Sequence, residues 1–128
     1  MNDKAAQLHQ ILDESTYTTA LCGSGMMEEG GFIGIKKQDK AYEIEERYGY
    51  GAEELYTSAF YNTRPDQFFE FYKNEMLRHV PDDTASGTAL AALEGAGKLQ
   101  CAIDSNIYSL LERGGCKNVV NLHGSIYD

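Results

Sequence analysis

The chain has 128 residues, 42% of them hydrophobic and 24% charged, with a formal net charge of −9. That length makes one domain, able to bury roughly two-thirds of the surface its unfolded chain exposes. The charge argues against a nucleic-acid backbone as partner, which calls for a basic surface, and is compatible with a basic, lysine-containing peptide. No apolar run is long enough to span a membrane, and Met1-Asn2-Asp3-Lys4 leads into a polar segment rather than a signal peptide, so the cytoplasm is the expected compartment. Cys22, Cys101 and Cys116 are odd in number and form no Cys-x-x-Cys pair. They predict neither a disulfide framework nor a four-cysteine zinc site, and read as small apolar residues; no metal is expected.

Leu8, Ile11 and Leu12 repeat at three- and four-residue spacing, which predicts a first helix over 3–14 with one apolar stripe. The β-branched run 16–22 reads as a strand ending in Gly23-Ser24-Gly25, followed by a loop holding Gly30, Gly31 and Gly34. A helix is expected from Asp39 to Tyr48, stopped by Gly49, and a short one over 53–60. Thr63 is a candidate cap for a helix with Pro65 in its first turn, running on through Leu77. Residues 84–95 form a further helix with Leu90 and Leu93 inward and Gly95 and Gly97 at its end. A second strand over 98–103, a short helix over 108–113 and a third strand over 119–122 lead to His123-Gly124.

Strands alternating with helices predict an α/β chain: a partial Rossmann-like parallel sheet of about three strands flanked by helices. Parallel strands are normally joined to more strands and covered on both faces. Three alone leave unpaired edges, which invite pairing with a second copy into a homodimer. The aromatic group Tyr56, Phe60, Tyr61, Phe68, Phe69, Phe71 and Tyr72 serves either to pack a helix onto its neighbours or to line a small-molecule pocket.

A strand, a Gly-x-Gly and a helical turn make the arrangement in which backbone approaches a pyrophosphate closely. A glycine pair after a strand also makes a plain tight turn. The wider segment Gly23-Ser24-Gly25-Met26-Met27-Glu28-Glu29-Gly30-Gly31 resembles the phosphate loop of the sirtuins, with Ile33-Gly34-Ile35-Lys36 standing where that family has Pro-Asp-Phe-Arg. Asp104-Ser105-Asn106-Ile107-Tyr108-Ser109-Leu110, then Arg113-Gly114-Gly115, then Val119-Val120-Asn121-Leu122-His123-Gly124-Ser125 resembles the family's Thr-Gln-Asn-Ile-Asp-x-Leu, Ala-Gly and Leu-His-Gly segments. The spacing from Asn106 to His123 matches without gaps.

The resemblance covers nearly all of 15–125 and implies that residues 1–128 are the N-terminal part of the NAD-binding Rossmann domain of an NAD-dependent protein-lysine deacylase, without the family's zinc module. It implies NAD as cofactor and an acyl-lysine protein or peptide as substrate. Gly23, Ser24, Gly25, Gly31 and Lys36 would then lie along the phosphates, and Ser105 and Asn106 in the nicotinamide pocket. His123 would be the general base that takes a proton from a ribose hydroxyl, a role for which histidine is the side chain most often used. Ser105 replaces the family's glutamine and Tyr108 its aspartate, with Asp104 close by. These replacements leave a second expectation open, a catalytically dead NAD- or ADP-ribose-binding module or a truncated remnant. His9 and His79 have no such context and read as surface residues.

Overall fold

The computed structural model describes residues 2–35 and 37–128. In chain order its elements are α1 (Asp3–Glu14), β1 (Thr19–Cys22), α2 (Ser24–Glu29), α3 (Gln38–Tyr48), α4 (Ala52–Leu55), α5 (Ser58–Thr63), α6 (Pro65–Phe71) running into a π-helical turn (Tyr72–Leu77), α7 (Ala85–Gly95), β2 (Cys101–Asp104), α8 (Leu110–Gly114) and β3 (Val119–Asn121). They fall into two compact units. One holds the described residues up to Gly30 together with Asp83–Asp128; the other is Gly31–Asp82.

The first unit is built on a parallel sheet of order β1-β2-β3, three-stranded among the described residues. Its register pairs Leu21 with Ile103 and Cys22 with Asp104, then Ile103 with Val120 and Asp104 with Asn121. Because side chains alternate along a strand, Cys22, Asp104 and Asn121 share one face and Leu21, Ile103 and Val120 the other. The first face is covered: Cys22, Ala102 and Asp104 are buried, as are Leu110, Leu111 and Cys116. The second is open, with Leu21 73% exposed and Val120 47%. The expected stripe on α1 is likewise open, at Leu8 and Ile11, although the helix itself forms and is capped by the Asn2 side chain.

Helices α7 and α8 pack closely because two glycines meet there. A methyl group on Gly114 would stand 2.5 Å from the Gly87 carbonyl carbon. Thr84 caps α7 by accepting from the Gly87 N–H, and Glu29 accepts from the Ser86 N–H and hydroxyl, tying α2 to the start of α7. The Glu94 carboxylate accepts from the N–H groups of Lys117 and Asn118 and so fixes the approach to β3.

The second unit is helical. Ile44, Leu55, Phe60, Phe71 and Met76 are buried, and Tyr48 and Tyr56 set their rings edge-on against Phe71. The aromatic group thus divides: Phe60 and Phe71 are core, whereas Tyr61 and Phe69 lie exposed on α5 and α6. The single helix expected over 53–60 is broken at Tyr56, and Thr57 caps α5 through the Phe60 N–H. Pro65 does open a helix, but Arg64 holds the cap position, and the Thr63 hydroxyl instead donates to the Ala59 carbonyl within α5. The π-helical turn carries Glu75 into the unit, where its carboxylate meets Lys40, Arg47 and the Tyr48 hydroxyl. Burial alone would raise its pKa; the Tyr48 hydroxyl, Lys40 and Arg47 outweigh that and hold it below the usual carboxylate range. Among the described residues no helix is long and apolar enough to cross a membrane.

Candidate nucleotide-binding edge

Parallel strands all end on the same side of their sheet, and in open α/β sheets ligands bind outside those carboxyl ends. Here the ends of β1, β2 and β3 lead directly into Gly23-Ser24-Gly25, Ser105-Asn106 and Leu122-His123. The fold therefore brings six of the eight sequence-predicted site residues to one edge of one unit.

Gly23 is the N-cap of α2 and supplies no side-chain cap, which leaves first-turn N–H groups open to another acceptor. Ser24 and Gly25 are exposed in the first turn. A methyl group on Gly25 would meet no atom within 4 Å, so nothing in the fold itself demands a glycine there. Gly31 belongs to the other unit and has φ +86°, a conformation that favours glycine. Lys36 lies outside the described residues. Ile35, where the family has an aromatic residue, is buried, while Ile33 is exposed.

After β2 the chain makes two successive side-chain-to-backbone turns. Asp104 Oδ1 accepts from the Asn106 N–H at 2.9 Å, and Asn106 Oδ1 accepts from the Tyr108 N–H at 3.1 Å. Asn106 is buried, and its Nδ2 has no hydrogen-bond partner in the protein. The Ser105 hydroxyl is not turned outward; it donates to the Cys22 carbonyl at 2.9 Å, which also accepts the Ser105 N–H. Tyr108 is fully buried. Ser109 follows with φ +50°, a left-handed conformation unusual for a residue with a side chain, and its hydroxyl meets that of Ser125 at 2.7 Å.

His123 is exposed and sits between two anchors. The Leu122 N–H donates to the Asp104 carbonyl and the Ile126 N–H to the Ile107 carbonyl, so the segment bearing His123 is laced to the turn bearing Asn106. Gly124, at φ +74°, makes the bend between them. These backbone ties, and the inward direction of Asp104, were not read from the sequence. Asp104 lies one residue beyond the strand expected over 98–103; β2 extends to it, and the alternation along β2 turns it to the covered face. Among the described residues no group of three or more His, Cys, Asp or Glu side chains gathers to hold a metal.

The chain matches the family model described as Sir2 family over residues 23–128. It is 30% identical over 125 residues to a protein of Clostridium acetobutylicum named NAD-dependent protein deacetylase, covering 98% of this chain and 51% of the relative. It is 32% identical over 124 residues to the NAD-dependent protein deacylase of Pyrococcus furiosus, covering 94% and 47%. Among solved structures it superposes on a mutant Sir2 homologue in complex with 2'-O-acetyl ADP ribose, with TM-score 0.78, 31% identity and coverage of 98% of this chain and 48% of that one. A second, Sir2Tm bound to a propionylated peptide, gives TM-score 0.75 at 25% identity, covering 98% and 46%. The chain thus spans about half the length of the curated relatives it matches. With the family model matched from the glycine turn to the last residue, this chain belongs to the Sir2 family.

Proposed function

We propose that this chain is the NAD-binding N-terminal part of an NAD-dependent protein-lysine deacylase, acting on an acyl-lysine protein or peptide. The observation that carries the reading is the convergence of Gly23-Ser24-Gly25, Asn106 and His123 at the carboxyl ends of three adjacent parallel strands. The residues present fit a dinucleotide: the Gly25 position is open to close approach, and the buried Asn106 Nδ2 is a donor without an acceptor in the protein. When bound, NAD supplies the ribose carbon that accepts the acyl oxygen as nicotinamide leaves.

Each residue has a part. The first-turn N–H groups of α2 and the bare backbone of Gly23 and Gly25 hold phosphate, with Ser24 beside them. Asn106 donates from Nδ2 to an amide oxygen, the group nicotinamide presents. His123, exposed at the edge, takes a proton from a hydroxyl at its ring nitrogen. Ser105 serves the site indirectly, by joining the ends of β1 and β2. The relatives whose names or titles mention NAD, deacetylation or a propionylated peptide support this class of ligand and substrate.

The engaged Ser105 hydroxyl and the buried Tyr108 favour one second reading, a module that binds NAD or ADP-ribose without catalysis. The two separate in one experiment. NAD binding and deacylation of an acetyl-lysine peptide are measured for the chain and for His123→Ala. Retained binding with deacylation lost in the variant supports the enzyme; binding in both with deacylation in neither supports the module.

A further inference from the structure

Strand β2 turns Ala102 and Asp104 fully into the covered face of the sheet. Asp104 and Asn121 are register partners on β2 and β3, so their side chains share that face on neighbouring strands, which lie about 4.8 Å apart in a sheet. One oxygen of Asp104 is used, accepting from the Asn106 N–H. The other, Oδ2, is buried and has no partner. Asn121 Oδ1 is also buried and without a partner, while Asn121 Nδ2 donates to Glu112 Oε1.

On two register-paired side chains, Asp104 Oδ2 and Asn121 Oδ1, both acceptors if Asp104 is ionised, are thus left without a donor, as is Glu112 Oε2 on the carboxylate that Asn121 Nδ2 meets. An isolated buried carboxylate costs far more than a neutral polar group and ordinarily neutralises instead. A single proton on Asp104 Oδ2 answers both needs, because it removes the charge and supplies the missing donor.

We propose that Asp104 is held as a neutral carboxylic acid whose Oδ2–H donates to Asn121 Oδ1. It is thereby a positioning residue that joins the Asn106 turn to the strand leading into His123. One side chain then makes a continuous chain of hydrogen bonds: Tyr108 N–H to Asn106, Asn106 N–H to Asp104, Asp104 to Asn121, and Asn121 to Glu112.

The surroundings agree. Burial pushes the Asp104 carboxyl above the usual aspartate range, the Asn106 N–H pulls the other way, and the negative charge of Glu112 adds to the rise. The titratable groups facing it are the Cys22 thiol from β1, itself pushed up by burial and by Asp104, and Glu112 from α8. Helix α7, which packs on α8, brings Glu94, already engaged by the Lys117 and Asn118 N–H groups. The consequence for cofactor binding rests on the reading of Asn106 above; the protonation itself does not.

The test is a carboxyl-carbon NMR titration of this chain without cofactor, with Asp104→Asn to assign the resonance. The Asp104 carboxyl is expected to stay in its protonated form after the exposed aspartates have ionised. Titration together with those aspartates would overturn the proposal and leave an ionised group bridged by water. Amide exchange gives the second arm. Asparagine keeps one acceptor and one neutral donor, so Asp104→Asn should leave the Asn106 N–H within about twofold of its exchange rate, whereas Asp104→Leu should speed it by about tenfold or more. Rapid exchange in the asparagine variant, or unchanged exchange in the leucine variant, would contradict the positioning role. Because neither arm contains NAD, failure of the cofactor reading is detected separately.

Discussion

The Ser105 hydroxyl donates to the Cys22 carbonyl oxygen at 2.9 Å, and the Ser105 N–H reaches the same oxygen at 3.0 Å. One residue at the end of β2 thus doubly ties the end of β1, beside Gly23, whose added methyl would stand 3.7 Å from that hydroxyl. Ser105→Ala removes one of the two bonds and leaves the carbonyl still paired. The expected loss is about 0.5–1.5 kcal/mol in urea unfolding, with NAD affinity changed little. A large loss of affinity at unchanged stability would show the hydroxyl acting on the ligand itself.

Gly25 and Gly114 make an informative pair. Gly25 lies inside α2 with open space around it, so Gly25→Ala should stabilise the chain by up to about 1 kcal/mol through helix propensity. The same methyl occupies the surface assigned to phosphate and should weaken NAD binding. Gly114→Ala places its methyl against the Gly87 backbone and should cost about 1–3 kcal/mol by forcing α7 and α8 apart. Denaturant midpoints of the two variants should therefore move in opposite senses, with Gly25→Ala the one whose NAD titration weakens while its midpoint rises.

The helical unit carries its own pH signature. The Glu75 pKa is depressed in the folded chain, so the stability it contributes is present above its unfolded-state value and is lost as pH falls through the folded one. Acidification should thus weaken Gly31–Asp82. Glu75→Gln should flatten that acid limb and cost on the order of 1–3 kcal/mol near neutrality. The figure stays below that for a sealed ion pair because Arg47 is 58% exposed. An acid limb unchanged in the variant would assign it to other carboxylates.

Asp104 works with the opposite sign. Its pKa is raised in the folded chain, so its contribution is full below the unfolded-state value and is lost as pH rises through the folded one. Asp104→Asn should remove that loss and leave the chain more stable than the parent on the alkaline side, measured by thermal melts across pH. Parallel pH profiles for the two proteins would contradict a neutral Asp104.

Most elements were legible because short-range signals fixed them: Pro65 in the first turn of α6, the Gly49 stop of α3, and β-branched runs for the strands. The strands came out shorter than expected, since register with β2 limits pairing to Thr19–Cys22 and Val119–Asn121. The apolar stripe of α1 was legible as a pattern, but periodicity cannot say what covers a stripe, and Leu8 and Ile11 stand exposed. In the site, the order of Gly23, Asn106 and His123 at strand ends followed from alternation of strands and helices. The direction of the Ser105 hydroxyl, the burial of Tyr108 and the Asp104–Asn121 adjacency depend on register between strands far apart in sequence, which no local pattern encodes.

The most direct measurement is calorimetric titration of the purified chain with NAD, run beside Gly25→Ala. Saturable binding that weakens in the variant, while its unfolding midpoint holds or rises, is the expected result. Absence of binding at millimolar NAD, or equal binding by the two proteins, would contradict a nucleotide seat at the glycine turn and the strand ends.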